Sequence, residues 1–303
     1  MKWMRGALAA ASSPQRRRGI VAAFLLAVLA GFGSSPPALA DDQPAADRRP
    51  IAGILDNSFL IEEAFNQPPG EVQSLLTVDY GVEPLPGPDD IAWNLAFTQE
   101  WPIFNQRHQL SYAIPYSFIR TGGQGDNGLG DVMLNCRFKA YYDEEHIRGF
   151  APRASLVLPT GNKDFGFSDD TVGAQFSLPF SGAWGDRWLT HFNAGLTFLP
   201  DAFTANDQDT LDYNLGASVN YAFTSTCHLL LEWTGVWDDS LNSHGRVEHE
   251  FLSVISPGLR YAFNFANGSQ FVLGLGVPVG LTESAPDVGV FLYVSFEAFW
   301  NPN

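Results

Sequence analysis

Eight ionisable residues stand out by where they fall. Glu100, Arg137, Lys139, Arg153, His191, Glu232, Arg260 and Glu297 occupy polar positions in stretches where polar and apolar residues alternate. On one face of a β-sheet, charges of both signs can pair into an internal salt-bridge network. They can also line a constriction that selects a solute. Because both signs occur, the set announces neither anion nor cation selectivity. Both readings stay open at this stage.

A second group is acidic: Asp89-Asp90, Asp169-Asp170, Asp207 and Asp209, Asp238-Asp239, Glu248 and Glu250, with His244 and His249 nearby. Such pairs can take a divalent cation or bridge to lipopolysaccharide phosphates through one. Acid pairs spread over separate loops read first as solvated loop residues. His191 and Asn193 share a face, but a barrel lipase needs its Ser, His and Asn on the outer face. There is no G-x-S-x-G, no H-E-x-x-H and no phosphate-binding glycine loop. The sequence therefore predicts neither an enzyme nor a cofactor or metal site. Cys136 and Cys227 lie on distant strands, so no disulfide is expected.

Charge bounds the partners. The chain has 303 residues, with 17 Lys+Arg against 33 Asp+Glu. Five basic residues and no acidic one fall in the first forty, so residues 41–303 hold 12 basic residues against 33 acidic. A nucleic acid is not the expected partner, since it attracts basic faces. Arg16-Arg17-Arg18, the apolar run 19–33 and the small-x-small site Ala38-Leu39-Ala40 make residues 1–40 a cleavable signal peptide. The apolar run is short for a membrane anchor, which needs about 20 residues.

What positions the eight residues is a change to period two from about residue 72. Trp93, Leu95, Phe97 and Trp101 alternate with Asn94, Ala96, Thr98 and Glu100. Leu110, Tyr112, Ile114, Tyr116 and Phe118 do the same, and so do Leu211, Tyr213, Leu215, Ala217, Val219 and Tyr221. The pattern repeats to give twelve candidate strands, many longer than the 5–6 residues usual in soluble sheets. Crossing a bilayer at a tilt takes roughly 9–11 residues. Linkers alternate long (near 81–90, 119–129, 160–170, 200–210, 238–249 and 281–287) and short, as in outer-membrane barrels. Many of the 41 aromatic residues (24 Phe, 8 Trp, 9 Tyr) fall at strand ends, where two lipid interfaces would lie. The expected fold is all-β, a transmembrane antiparallel up-and-down barrel of about 12 strands over 71–303. A secreted soluble β protein is the weaker alternative. Pro115, Pro152, Pro159, Pro179, Pro257 and Pro278 interrupt strand-like runs and call for bulges or strand ends.

Residues 41–70 form a periplasmic N-terminal segment in this reading. Within it 54–66 is the best helix candidate, with Asn57 or Ser58 as cap, and with Phe59, Leu60 and Ala64 on one face. As a helix of about 20 Å it would either plug the lumen or lie against the periplasmic rim.

Three parts of the chain carry a resemblance: DNSFLIEEAFNQPPGEVQ (56–73), TQEWPIFNQRHQLSYAIPY (98–116), and GLGDVMLNCRFKAYYDE (128–144) followed by PRASLVLPTG (152–161). Together they resemble a family of bacterial outer-membrane β-barrels labelled as transporters, the "MetA-pathway of phenol degradation" family. That resemblance implies an outer-membrane barrel with a transport role, and no residue pattern here reads as a phenol site; the function expected is porin-like, passive passage of a small solute, aromatic or hydrophobic. The resemblance implies no catalytic or binding residues. The implied partners are outer-membrane lipid and lipopolysaccharide, the barrel assembly machinery and the solute. A non-conducting surface-interaction barrel is the runner-up, and a barrel hydrolase comes third.

Overall fold

The computed structural model describes residues 49–83, 90–104, 106–121, 124–163, 166–203, 208–241 and 247–299. The expected signal peptide and, from the acidic group, Asp89, Asp207 and His244 lie outside them.

Twelve antiparallel strands close into one barrel. They are β1 Glu71–Glu83, β2 Asp90–Ile103 and β3 His108–Thr121, then β4 in two pieces, Gln124–Leu129 and Val132–Phe138, with an extension Tyr141–Asp143. β5 comprises Arg148–Phe150 and Arg153–Leu158, and β6 comprises Gly173–Ser177 and Phe180–Trp184. β7 Trp188–Phe203, β8 Gln208–Ala222, β9 Cys227–Leu241 and β10 Val247–Asn264 are continuous. β11 is Gln270–Gly276 with Val279–Gly280, and β12 is Val288–Phe299. Closure comes from β1 against β12, with Leu75 opposite Ser295 and Tyr80 opposite Val290. No helix among the described residues is long and apolar enough to cross a membrane; the strands make the crossing.

The ladder breaks where proline sits. Ala151-Pro152 splits β5, Leu178-Pro179 splits β6 and Val277-Pro278 splits β11. Pro159 follows the end of β5, while Pro115 and Pro257 lie inside strands. The Gly130 N–H reaches the Pro115 carbonyl at 2.9 Å, beside the break in β4, and the Val277 N–H reaches the Pro257 carbonyl at 3.0 Å, beside the break in β11. Proline has no ladder donor, so a closed barrel accommodates it at irregularities.

Burial is inverted relative to a soluble sheet. Phe97, Leu134, Phe176, Phe192, Leu215, Leu231 and Leu292 are exposed on the outside. Asn94, Gln109, Asn135, Ser218, Asn220 and Ser295 are buried inside. That is the arrangement a lipid exterior selects. Cys136 is exposed among the outer residues and Cys227 is buried; both are free.

Two expectations need correction. Residues 54–66 are not helical; a single 3-10 turn, Pro50–Gly53, precedes a bent, extended chain. The reason is tertiary: wall side chains, not carbonyls four residues back, satisfy this segment's backbone groups, as described below. Phe59 and Ala64 accordingly go to separate places. Phe59 packs with Phe291 and Tyr293, and the Ala64 N–H is held by Ser181 Oγ at 2.8 Å. The second correction concerns linkers. The stretches 119–129, 200–210 and 238–249 are largely strand: β3 runs to Thr121, β4 restarts at Gln124, β7 reaches Phe203, β8 begins at Gln208, β9 reaches Leu241 and β10 begins at Val247, so Asp238, Asp239, Glu248 and Glu250 lie in strands and not in a loop. Polar residues there read as loop, but a strand pair standing clear of lipid tolerates polar residues on both faces.

Candidate functional site: a lumen closed by the N-terminal segment

Residues 50–67 run through the barrel interior. They enter beside the short turns, where the Ile51 N–H meets the Asp186 carbonyl at 3.0 Å. Ile51 and Phe65 pack with Ile147, Ala183, Leu189 and Ala222, an apolar ring near that end. Ile54 and Phe59 pack with Leu75, Leu230, Ala262, Val272, Phe291 and Tyr293. In a barrel of eight strands the wall's own side chains fill the lumen. Here a separate segment does much of the filling.

Polar wall residues bind that segment through its backbone. One Glu232 carboxylate oxygen accepts three successive N–H groups, from Phe59 (2.9 Å), Leu60 (3.0 Å) and Ile61 (3.3 Å). Arg260 does the converse with carbonyls: Nη1 donates to those of Asp56 (2.9 Å) and Asn57 (2.5 Å), and Nη2 to that of Ile54 (3.2 Å). Asn193 clamps Glu62 from both sides, accepting its N–H at 2.8 Å and donating to its carbonyl at 2.9 Å. Gln109 Oε1 accepts the Gln67 N–H at 2.7 Å. These contacts answer the backbone's obligatory demand for partners without a helix.

A charged cluster adds to this. Arg137 Nη1 donates to the Glu63 carboxylate at 2.5 Å and to the carbonyls of Glu63 (2.9 Å) and Phe65 (3.2 Å). Arg137 Nη2 donates to Glu100 Oε2 at 3.1 Å. Arg153 Nε lies 3.0 Å from both oxygens of Glu62. Three carboxylates, Glu62, Glu63 and Glu100, thus share two guanidinium groups. Burial pushes the Glu63 carboxyl up to about 8 against the opposing pull of Arg137, with Glu100, Asp56 and Glu62 adding to the rise. A cluster one positive charge short is balanced when one carboxyl keeps its proton.

The eight residues singled out from sequence fall into three sets. Arg137, Arg153, Glu232 and Arg260 touch the N-terminal segment directly. Glu100, His191 and Glu297 act one step removed. Glu100 pairs with Arg137; His191 Nδ1 lies 2.7 Å from Ser181 Oγ, which holds Ala64; Glu297 accepts from Gln73 at 3.0 Å, and Gln73 donates to Asp56 at 2.7 Å. Lys139 stands apart, beyond the main part of β4, with its ammonium 5.1 Å from the Tyr142 ring. Sequence reasoning missed the uncharged wall partners Gln73, Gln109, Ser181, Ser218 and Asn220. Their only signal was a polar inward position in a strand.

Hydrolytic chemistry finds little here. Ser181 and His191 touch, but Ser181 Oγ accepts the Ala64 N–H, and His191 Nε2 has no hydrogen-bond partner among the described residues. No third group orients the histidine as a triad requires. Exposed His249 of β10 pairs with Asp239, its cross-strand neighbour on β9. No cluster of His, Cys, Asp or Glu placed to hold a metal ion occurs among the described residues.

Comparison with known proteins bears on this geometry. Residues 57–297 match the model of a family described as "Putative MetA-pathway of phenol degradation". Among curated proteins, none matches the sequence. Among solved structures, an outer membrane channel from Pseudomonas putida F1 matches with a TM-score of 0.61 at 13% identity, covering 77% of this chain and 97% of that one. At that identity the likeness is one of fold. The β domain of the Bordetella autotransporter BrkA follows at TM-score 0.43 and 11% identity, covering 76% and 99%. LpxR from Salmonella typhimurium gives 0.42 and 9%, also covering 76% and 99%.

Proposed function

The chain belongs to the MetA-pathway of phenol degradation family, and from that premise we propose that it is an outer-membrane channel for passive passage of a small aromatic or hydrophobic solute. The observation that carries the proposal is the kind of closure. The stopper, residues 50–67, is continuous with β1 and takes part in none of the barrel's strand pairings, so it can leave the lumen without breaking a single rung of the ladder. A barrel built only as a scaffold gains nothing from a removable filling. In this reading residues 1–40 direct export and are cleaved, the short turns face the periplasm, and the outer face contacts lipid and lipopolysaccharide. Glu100, Arg137, Arg153, His191, Glu232, Arg260 and Glu297 hold the stopper when the channel is closed and line the path when it is open.

The test is planar-bilayer recording of the purified protein beside a form lacking residues 49–67. The full chain should show low or intermittent conductance, and the deletion should show large, persistent steps. A deletion that inserts, resists heat unfolding on a gel and still conducts nothing would favour the non-conducting barrel.

A further inference from the structure

The Phe59 ring sits in a notch cut into the wall. A Cβ placed on Gly258 of β10 would stand 2.2 Å from Phe59 Cε2, and one on Gly274 of β11 would stand 2.3 Å from Cε1. Any side chain larger than hydrogen at either position evicts the ring. Strand register sets these glycines beside aromatic residues: Gly276 pairs with Gly258 and Phe291, while Gly274 pairs with Arg260 and Tyr293. The Phe59 centroid lies 5.7 Å from that of Phe291 and 5.8 Å from that of Tyr293, with the rings tilted by 33° and 42°. Those are favourable separations for aromatic pairs.

The notch also has a polar corner. Ser256 Oγ is fully buried and has no hydrogen-bond partner among the described residues. It lies 3.1 Å from the point a Gly276 Cβ would occupy, and Phe59 Cδ2 lies 3.0 Å from that same point. A buried hydroxyl without a partner is uncommon and asks for a reason.

The notch belongs to the barrel wall, but the ring that fills it belongs to the stopper. We propose that this glycine-lined notch is a binding site for a single aromatic ring bearing one small polar group, and that Phe59 is a built-in competitor which such a solute displaces. The proposal rests on the channel reading above and gives that reading a solute site. An apolar cavity of ring size takes up benzene-like molecules. Competition from Phe59 lowers the apparent affinity by the fraction of molecules in which the notch is vacant. Ser256 is the group that would receive the solute's hydroxyl or amine.

The experiment is calorimetric titration of the full-length protein in detergent with phenol, toluene and cyclohexanol. Phe59→Ala should bind phenol at least tenfold more tightly than wild type, and phenol should outbind cyclohexanol. Adding Gly274→Leu to Phe59→Ala refills the notch and should abolish that gain. Adding Ser256→Ala instead should weaken phenol about fivefold, the scale of one hydrogen bond, and leave toluene unchanged. Heat-dependent gel mobility verifies folding of each variant. If alanine loosens the fold, Phe59→Leu should give the same order of affinities with a smaller gain. Phenol affinity within twofold between wild type and Phe59→Ala, or undiminished after Gly274→Leu, overturns the proposal. Conductance of the form lacking residues 49–67 reports separately on the channel reading. Open steps without notch binding leave a channel whose solute site lies elsewhere; notch binding in a barrel that never conducts removes the channel and keeps the site.

Discussion

The hydroxyls of Ser58 and Ser218 meet at 2.7 Å, joining the N-terminal segment to β8 across 160 residues of sequence. Both are fully buried, and Asn220 Nδ2 donates to Ser58 at 3.1 Å. This contact ties the segment to a fixed strand of the wall, so a covalent link placed here tests whether the segment must leave for the channel to conduct. Ser58→Cys with Ser218→Cys, in a background where Cys136 and Cys227 are serine, should lock the stopper on oxidation. Bilayer conductance should fall to baseline when oxidised and return with dithiothreitol. Conductance that is indifferent to the redox state would show that solute passes without displacement of the segment.

Glu232 should be the strongest single hold on the segment, because one oxygen accepts the N–H groups of Phe59, Leu60 and Ile61. Alanine leaves those donors buried without partners. At about 1 kcal/mol per lost bond, docking weakens by roughly 2–4 kcal/mol. A tenfold shift needs about 1.4 kcal/mol, so open-state occupancy in single-channel records should rise at least tenfold. Glu232→Gln keeps a carbonyl acceptor and should stay near wild type. Equal behaviour of the two variants would show that charge, not acceptance, matters at this position.

The sequence made the wall legible and left the stopper half legible. Period two placed Glu100, Arg137 and Glu232 inside and Phe97, Leu215 and Leu231 outside, because lipid on one side enforces strict alternation. The segment 54–66 deceived for an equally physical reason. Glu62, Glu63, Phe59 and Ala64 are helix-compatible locally, and the competing partners, Glu232 and Arg260, come from positions more than 170 residues away. No local pattern reports them. Nor did anything mark Gly258 and Gly274 as more than turn-prone residues, since a missing Cβ gains meaning only when a ring is brought against it.

The surplus carboxylate around Arg137 gives closure a pH dependence. Burial pushes the Glu63 carboxyl from its ordinary value of 4.5 up to about 8 when the segment is docked. A carboxyl raised in the docked state favours docking fully below its free value, and that contribution fades as pH climbs through the docked value. Closure should therefore be tightest below about pH 4.5 and loosest above about pH 8, so conductance should rise between about pH 5 and 8 and level off beyond. Glu63→Gln, neutral throughout, should flatten the profile and remain closed. A profile that rises toward acid would reverse the sign and exclude Glu63 as its source.

Finally, the outer face makes a prediction that a soluble β protein would not share. Leu215 lies mid-strand on β8, 42% exposed, between Trp233-facing Ala217 and the interfacial Tyr213. An exposed leucine changed to arginine on a soluble surface is close to neutral, usually within about 0.5 kcal/mol. Near the middle of a bilayer the same change costs roughly 2–4 kcal/mol, because the guanidinium must leave water or drag it inward. Guanidinium-induced unfolding of the protein in phospholipid vesicles should show that loss for Leu215→Arg. In contrast, Thr234→Ser, a small change on the lumen face of β9, should lose less than about 1 kcal/mol, one methyl's worth of burial. Equal stability of Leu215→Arg and wild type in vesicles would mean that β8 does not face lipid, and the barrel's placement in the membrane would fall with it.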